Sequence, residues 1–153
     1  MPTYNVFTPL NQLNQIQKSK LAKEITRCHT DVTGAQTFFV QVIFNEINLN
    51  NWFMGGSTLG SDPTIFLFGH IRGGRPDEMK YNLMNRMRDV LIQQTNITSN
   101  RTWVYVVELP PALMLEYGHI LPEPGEEATW LANMPAQDRY MLETMSKLAS
   151  IQT

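Results

Sequence analysis

A single cysteine among 153 residues, Cys28, leaves no partner for an internal disulfide, and it makes no metal-ligand spacing with the three histidines. Charge is sparse at 17%, and the net value of −2 excludes the broad basic surface that nucleic acid or an anionic membrane would need. No apolar run approaches the roughly 20 residues that cross a bilayer, and no N-terminal stretch reads as a secretory signal. Nucleophile-elbow, phosphate-loop, dinucleotide and zinc-helix motifs are all missing. The expectation is a cytoplasmic protein without metal or cofactor, with neither nucleic acid nor membrane as partner.

What the chain does have is one pattern used twice. Residues 2–8, "PTYNVFT", alternate polar and apolar and predict a short strand. A helix is expected from about Asn11, because Leu21, Ile25, Cys28 and Val32 recur at spacings of four, three and four, and Gly34 supplies the stop. "TFFVQVIFNEI" (37–47) reads as a buried strand. The order then repeats. "TIFLFGHI" (64–71) is a strand, and Pro76-Asp77-Glu78 opens a helix whose apolar stripe is Met79, Leu83, Met87 and Val90. "RTWVYVVEL" (101–109) closes the second unit. The units, 2–48 and 64–110, are joined by a glycine-rich connection over 50–63. Residues 111–153 add a Pro- and Gly-rich excursion and a last helix at 136–150.

The expected fold is therefore α/β in one domain over 1–153: two tandem β-α-β units sharing a four-stranded sheet, with both helices on one face. Consecutive apolar residues such as Phe38 to Phe44 make the other face apolar too, and an oligomer is expected to bury it.

Six residues invite chemistry, each with a plainer alternative. Arg72 and Arg75 flank Gly73-Gly74 just before a helix start. They spell either a small-anion pocket or a surface turn paired to Asp77 and Glu78. Pro2, once Met1 is removed, is a secondary amine that can act as acid or base; at position 2 it is also an ordinary residue. His29 shares the inward stripe of the first helix, as catalyst or as core. Tyr105 lies on the side of its strand shared by Trp103 and Val107, and it either packs or orients water. Glu116, an acid among apolar neighbours in "LMLEYG", is neutral, paired with an arginine, or a general base. His70 and His119 read as structural or solvated.

Six stretches in order carry a resemblance: the initial "MP", "AKEITRCHTDVTG" (22–34), "VQVIFNE" (40–46), "HIRGGR" (70–75), "WVYVVELP" (103–110) and "LEYGHILPEPGEE" (115–127). They resemble the cis-3-chloroacrylic acid dehalogenase family of the tautomerase superfamily, over nearly the whole chain. The resemblance implies a tautomerase fold, a homotrimer and no cofactor. It implies a small unsaturated carboxylate as substrate, with Arg72, Arg75 and His29 binding the carboxylate. It further implies that Tyr105 and Glu116 activate water and that Pro2 donates a proton. Implied alternatives are a tautomerase or isomerase with Pro2 as base, and an inactive homologue that keeps Met1. Ala35 and Phe39 stand where the family dehalogenase has Thr and Leu, which removes a hydroxyl and adds bulk. His119 stands where relatives often have arginine.

Overall fold

The computed structural model describes residues 2–151. The strand β1 (Thr3–Pro9) leads into the helix α1 (Gln15–Thr33) and the strand β2 (Gln41–Ile47). The second unit is β5 (Ile65–Arg72), α2 (Asp77–Thr95) and β6 (Thr102–Leu109). Strand order in the sheet is β2-β1-β5-β6. Each unit pairs its own strands in parallel, and the units meet antiparallel through β1 and β5, where Tyr4 lies opposite Gly69. The doubled β-α-β unit is thus present as expected.

Local chemistry sets the element ends. Helix α1 begins later than the apolar stripe suggested, because Asn14 makes a reciprocal cap. Its side chain accepts from the Gln17 N–H at 2.9 Å, while the Gln17 side chain accepts from the Asn14 N–H, also at 2.9 Å. Gly34 ends the helix in the left-handed region at φ 72°. The expected strand over 37–47 is shorter at its front. Residues Thr37–Phe39 form a 3₁₀ turn in which Val40 N–H bonds back to the Thr37 carbonyl. That turn sends Phe38 and Phe39 away from the sheet and into a second apolar cluster with Met114, Leu121, Met134 and Leu142. Burial of two phenylalanines outweighed their strand propensity.

The connection over 50–63 holds a small hairpin, β3 (Phe53–Met54) with β4 (Ser57–Thr58). The excursion holds a second, β7 (Leu115–Glu116) with β8 (His119–Ile120), then the short helix α3 (Glu127–Ala132) and the helix α4 (Ala136–Ile151). Tyr117 Oη donates to the Phe38 carbonyl at 2.9 Å and ties the second hairpin to the 3₁₀ turn.

Alternation along the strands sorts the faces. Tyr4, Val6, Ile65, Leu67 and Ile71 are buried with Leu21, Ile25, Leu83, Met87 and Leu91 of the helices, forming the main core. The opposite face carries Phe7 stacked on Phe66 at 5.5 Å, with Ile43, Tyr105 and Val107 exposed. No helix of the described residues is long and apolar enough to cross a membrane.

Candidate active site

A cavity of about 450 Å³ opens at the end of the sheet where β1 starts and β5 ends. Its floor is built by the two units together. Pro2 comes from the residue before β1, His29 from the last turns of α1, and Arg72 and Arg75 from the turn between β5 and α2. The excursion supplies the roof through Leu121, Pro122, Pro124 and Glu127. Ala35 and Phe39 also line it, so both departures from the family pattern shape this space.

Pro2 is buried, and its carbonyl accepts from the Gln41 N–H at 3.0 Å, which fixes the chain start to the sheet. Met1 lies outside the described residues, and with it the expectation that Met1 is removed. His29 is fully buried. Its Nδ1 lies 2.7 Å from Tyr4 Oη, and its Nε2 is buried without a hydrogen-bond partner. Burial first, then the charge of Arg75, push the imidazole down to about 3, so the ring is neutral at physiological pH.

The arginines differ in their surroundings. Arg72 is nearly enclosed; its Nη1 donates to the Pro122 carbonyl at 2.9 Å and its Nη2 forms an ion pair with Glu127. Arg75 is half-buried, with Nη1 donating to the Arg72 carbonyl at 2.7 Å. Burial, then the charge of Arg72, disfavour its cationic form, yet a guanidinium keeps its proton, so Arg75 is an incompletely compensated cation. Neither arginine is paired to Asp77 or Glu78; Asp77 pairs with Lys80 at 2.8 Å instead. The turn that separates the arginines needs Gly74, whose φ is 93° and whose added Cβ would come within 3.0 Å of Pro124 Cγ.

The remaining expected residues are not in this wall. Glu116 sits half-buried on β7, where burial raises its carboxyl above the ordinary range and the charge of Arg72 opposes that rise. It is within electrostatic reach of the cavity without lining it. Tyr105 is 56% exposed on the open sheet face, edge-on to Phe66 at 5.0 Å, beside Trp52, Met54 and Trp103. One chain does not bring Tyr105 to Pro2. His70 meets Phe68 edge-on at 4.5 Å on that same face, and His119 bonds Asp138 at 2.9 Å, so both lie outside the cavity.

Tyr4 and Glu127 went unnoticed in the sequence. The signal for Tyr4 was an inward strand position with a hydroxyl that needs a partner. For Glu127 it was the second of two acids after the Pro124-Gly125 turn, at the start of a short helix. Among the described residues, no group of three or more His, Cys, Asp or Glu side chains could hold a metal ion.

Residues 1–134 match the family model described as "Putative oxalocrotonate tautomerase enzyme". The chain belongs to the tautomerase superfamily. Within it the chain is similar to N1, a member of the cis-3-chloroacrylic acid dehalogenase (cis-CaaD) family, whose crystal structure superposes with a TM-score of 0.87 at 30% identity, over 93% of this chain and 99% of that one. Native Ps01740 follows at 30% identity and TM-score 0.69, over 74% of this chain and 99% of that one. Native fused 4-OT, at 22% identity and TM-score 0.71, covers 77% of this chain and 94% of that one and shows the shared fold. No curated protein matches the chain. The tautomerase fold expected from the sequence is thus present, and the superfamily is one of enzymes.

Proposed function

We propose that this protein, freed of Met1, adds water to small α,β-unsaturated carboxylates of the cis-3-chloroacrylate type. The observation that carries the reading is a single cavity walled by Pro2, His29, Arg72 and Arg75. A guanidinium beside a helix start draws electron density toward a bound carboxylate, which makes C3 of the conjugated acid electrophilic. The His29 ring, neutral and sealed in the wall, offers a fixed dipole rather than a second charge. Glu116, its carboxyl raised toward neutrality, takes a proton from the attacking water. The C3–O bond forms as the C2–C3 π electrons move into an enediolate, which the arginines stabilise. Pro2 in its ammonium form then gives its proton to C2. Loss of chloride from C3 and of a proton from the new hydroxyl leaves malonate semialdehyde and HCl.

Tyr105 joins this chemistry only across a subunit boundary. Its sheet face presents exposed Ile43 and Val107 as well, and we assign that face to a homotrimer contact that carries Tyr105 toward a neighbour's cavity. A second reading is favoured by the same placement. A cavity with Pro2 and Arg75 and no tyrosine of its own suffices for tautomerase chemistry, in which neutral Pro2 moves a proton between carbons of an enol acid.

Chloride release from cis-3-chloroacrylate, with phenylenolpyruvate ketonisation in parallel, separates the readings in Met1-free protein. Release abolished in a Pro2→Ala variant is expected. Equal release from that variant and the parent would remove Pro2 from the reaction.

A further inference from the structure

Arg72 meets a carboxylate before any substrate does. One oxygen of Glu127 pairs with its Nη2, while the other accepts from the Gly125 N–H at 2.9 Å. Glu127 also lines the cavity, so this carboxylate belongs to the wall around the substrate space. Burial is the largest influence and would raise its carboxyl, but the hydrogen bond and charge of Arg72 together with backbone N–H donors outweigh it and hold the group below its ordinary value. The Arg72 side chain is only 9% exposed and that of Glu127 34%, so the guanidinium end of the pair is sheltered from water while the carboxylate end is in part solvated. Among the described residues Arg75 has no such partner. Glu108 accepts only from its backbone N–H, at 3.5 Å, and is committed to Lys80 at 2.7 Å. Within the arginine pair, two guanidinium charges and one carboxylate leave a single uncompensated positive charge, to which the Pro2 ammonium adds its own during the addition.

We propose that Glu127 is a specificity-determining residue of this cavity, one that cancels the charge of Arg72 so that the wall holds one carboxylate and rejects a second. The proposal rests on the carboxylate-binding reading above. Arg72 still has N–H groups to direct at a ligand, because Glu127 and Pro122 each take one. A ligand with two carboxylates, however, must set its second charge against Glu127 or dislodge it from Arg72. Either course costs electrostatic energy.

The alternative is that Glu127 merely braces the turn over 122–127. Glu127→Gln separates the two, since the amide keeps an acceptor for Arg72 and removes only the charge. The experiment is direct binding by titration calorimetry with butanoate and succinate, saturated four-carbon acids that cannot undergo the addition. The parent should prefer butanoate. Glu127→Gln should shift the preference toward succinate by about tenfold, the effect of about 1.4 kcal/mol, and Glu127→Asp should keep the parental preference. A folded Glu127→Gln variant with an unchanged ratio overturns the proposal, as does a parent that binds succinate as tightly as butanoate. The parent alone can therefore decide against it if the variant fails to fold. Binding that follows this pattern without haloacrylate turnover would leave Glu127 assigned and remove the hydratase reading. Binding of neither acid removes both.

Discussion

The Tyr4 hydroxyl lies 2.7 Å from His29 Nδ1, and that contact decides which imidazole nitrogen carries the proton. Both side chains are fully buried, and no other hydrogen-bond partner among the described residues meets the hydroxyl. We assign the hydroxyl as donor to a bare Nδ1, the arrangement that leaves a ring N–H for a ligand in the cavity that His29 lines. The ring proton then resides on Nε2, the nitrogen without a hydrogen-bond partner among the described residues.

Replacing Tyr4 by Phe should therefore strand a buried nitrogen and cost about 1–3 kcal/mol of stability, read from urea unfolding. Nitrogen-15 spectra of the imidazole should show His29 passing from the Nε2–H form to a mixture of tautomers. An unchanged spectrum would show that Tyr4 does not select the tautomer.

Gly69 gives Tyr4 its seat. A Cβ at Gly69 would lie 2.7 Å from Tyr4 Cε1 and 2.9 Å from Cδ1, closer than side-chain carbons approach. Gly69→Ala is expected to lose about 1–3 kcal/mol through overpacking. In a Tyr4→Val background the same change should cost much less, and a double-mutant cycle measures that coupling.

Stability should depend on acid through His29. Its folded value is about 3 against an ordinary 6.5, so between those limits the unfolded chain takes up a proton that the native protein refuses. The neutral ring contributes in full above pH 6.5, and the contribution falls as pH drops toward 3. The slope from this one group approaches about 1.4 kcal/mol per pH unit. Urea midpoints measured at pH 7.5, 5.5 and 4.5 should decline for the parent and decline less steeply for His29→Gln.

The two arginines should separate under substitution. Arg72→Gln breaks the contacts to Glu127 and Pro122 and is expected to destabilise the fold by about 2–3 kcal/mol. Arg75→Gln, at a half-buried position with one backbone carbonyl as partner, should leave the unfolding midpoint near that of the parent while abolishing carboxylate binding.

Charge placed on the open sheet face should disperse the proposed assembly. Val107→Asp puts a carboxylate among Tyr105 and Trp103, and light scattering should report a monomer for the variant and a trimer for the parent.

Much of this was legible in the chain itself. The two β-α-β units follow from spacing alone, and His29 was placed on the inner stripe of α1 by its distance from Ile25. The arginines were read as flanking a turn that only glycine can make, and Gly74 makes it. What stayed hidden depends on distant parts meeting. Arg72 and Glu127 are 55 residues apart, and nothing local says that α3 folds back over β5. Tyr4 and His29 are 25 apart and meet only when α1 lies across β1. For Tyr105 the alternation gave the correct side of its strand, but which side faces the cavity is decided by the helices. Phe38 and Phe39 misled because strand propensity cannot weigh a second apolar cluster made by residues from 114 onward.

The anchoring of Pro2 has a practical consequence for anyone handling the protein. Its carbonyl is pinned to Gln41, and β1 runs between β2 and β5, so the front of the polypeptide enters at an interior strand with the cavity directly before it. A purification handle fused there would have to thread through the space meant for substrate. Recombinant material bearing one should look inert in any assay until a protease trims it back to the proline.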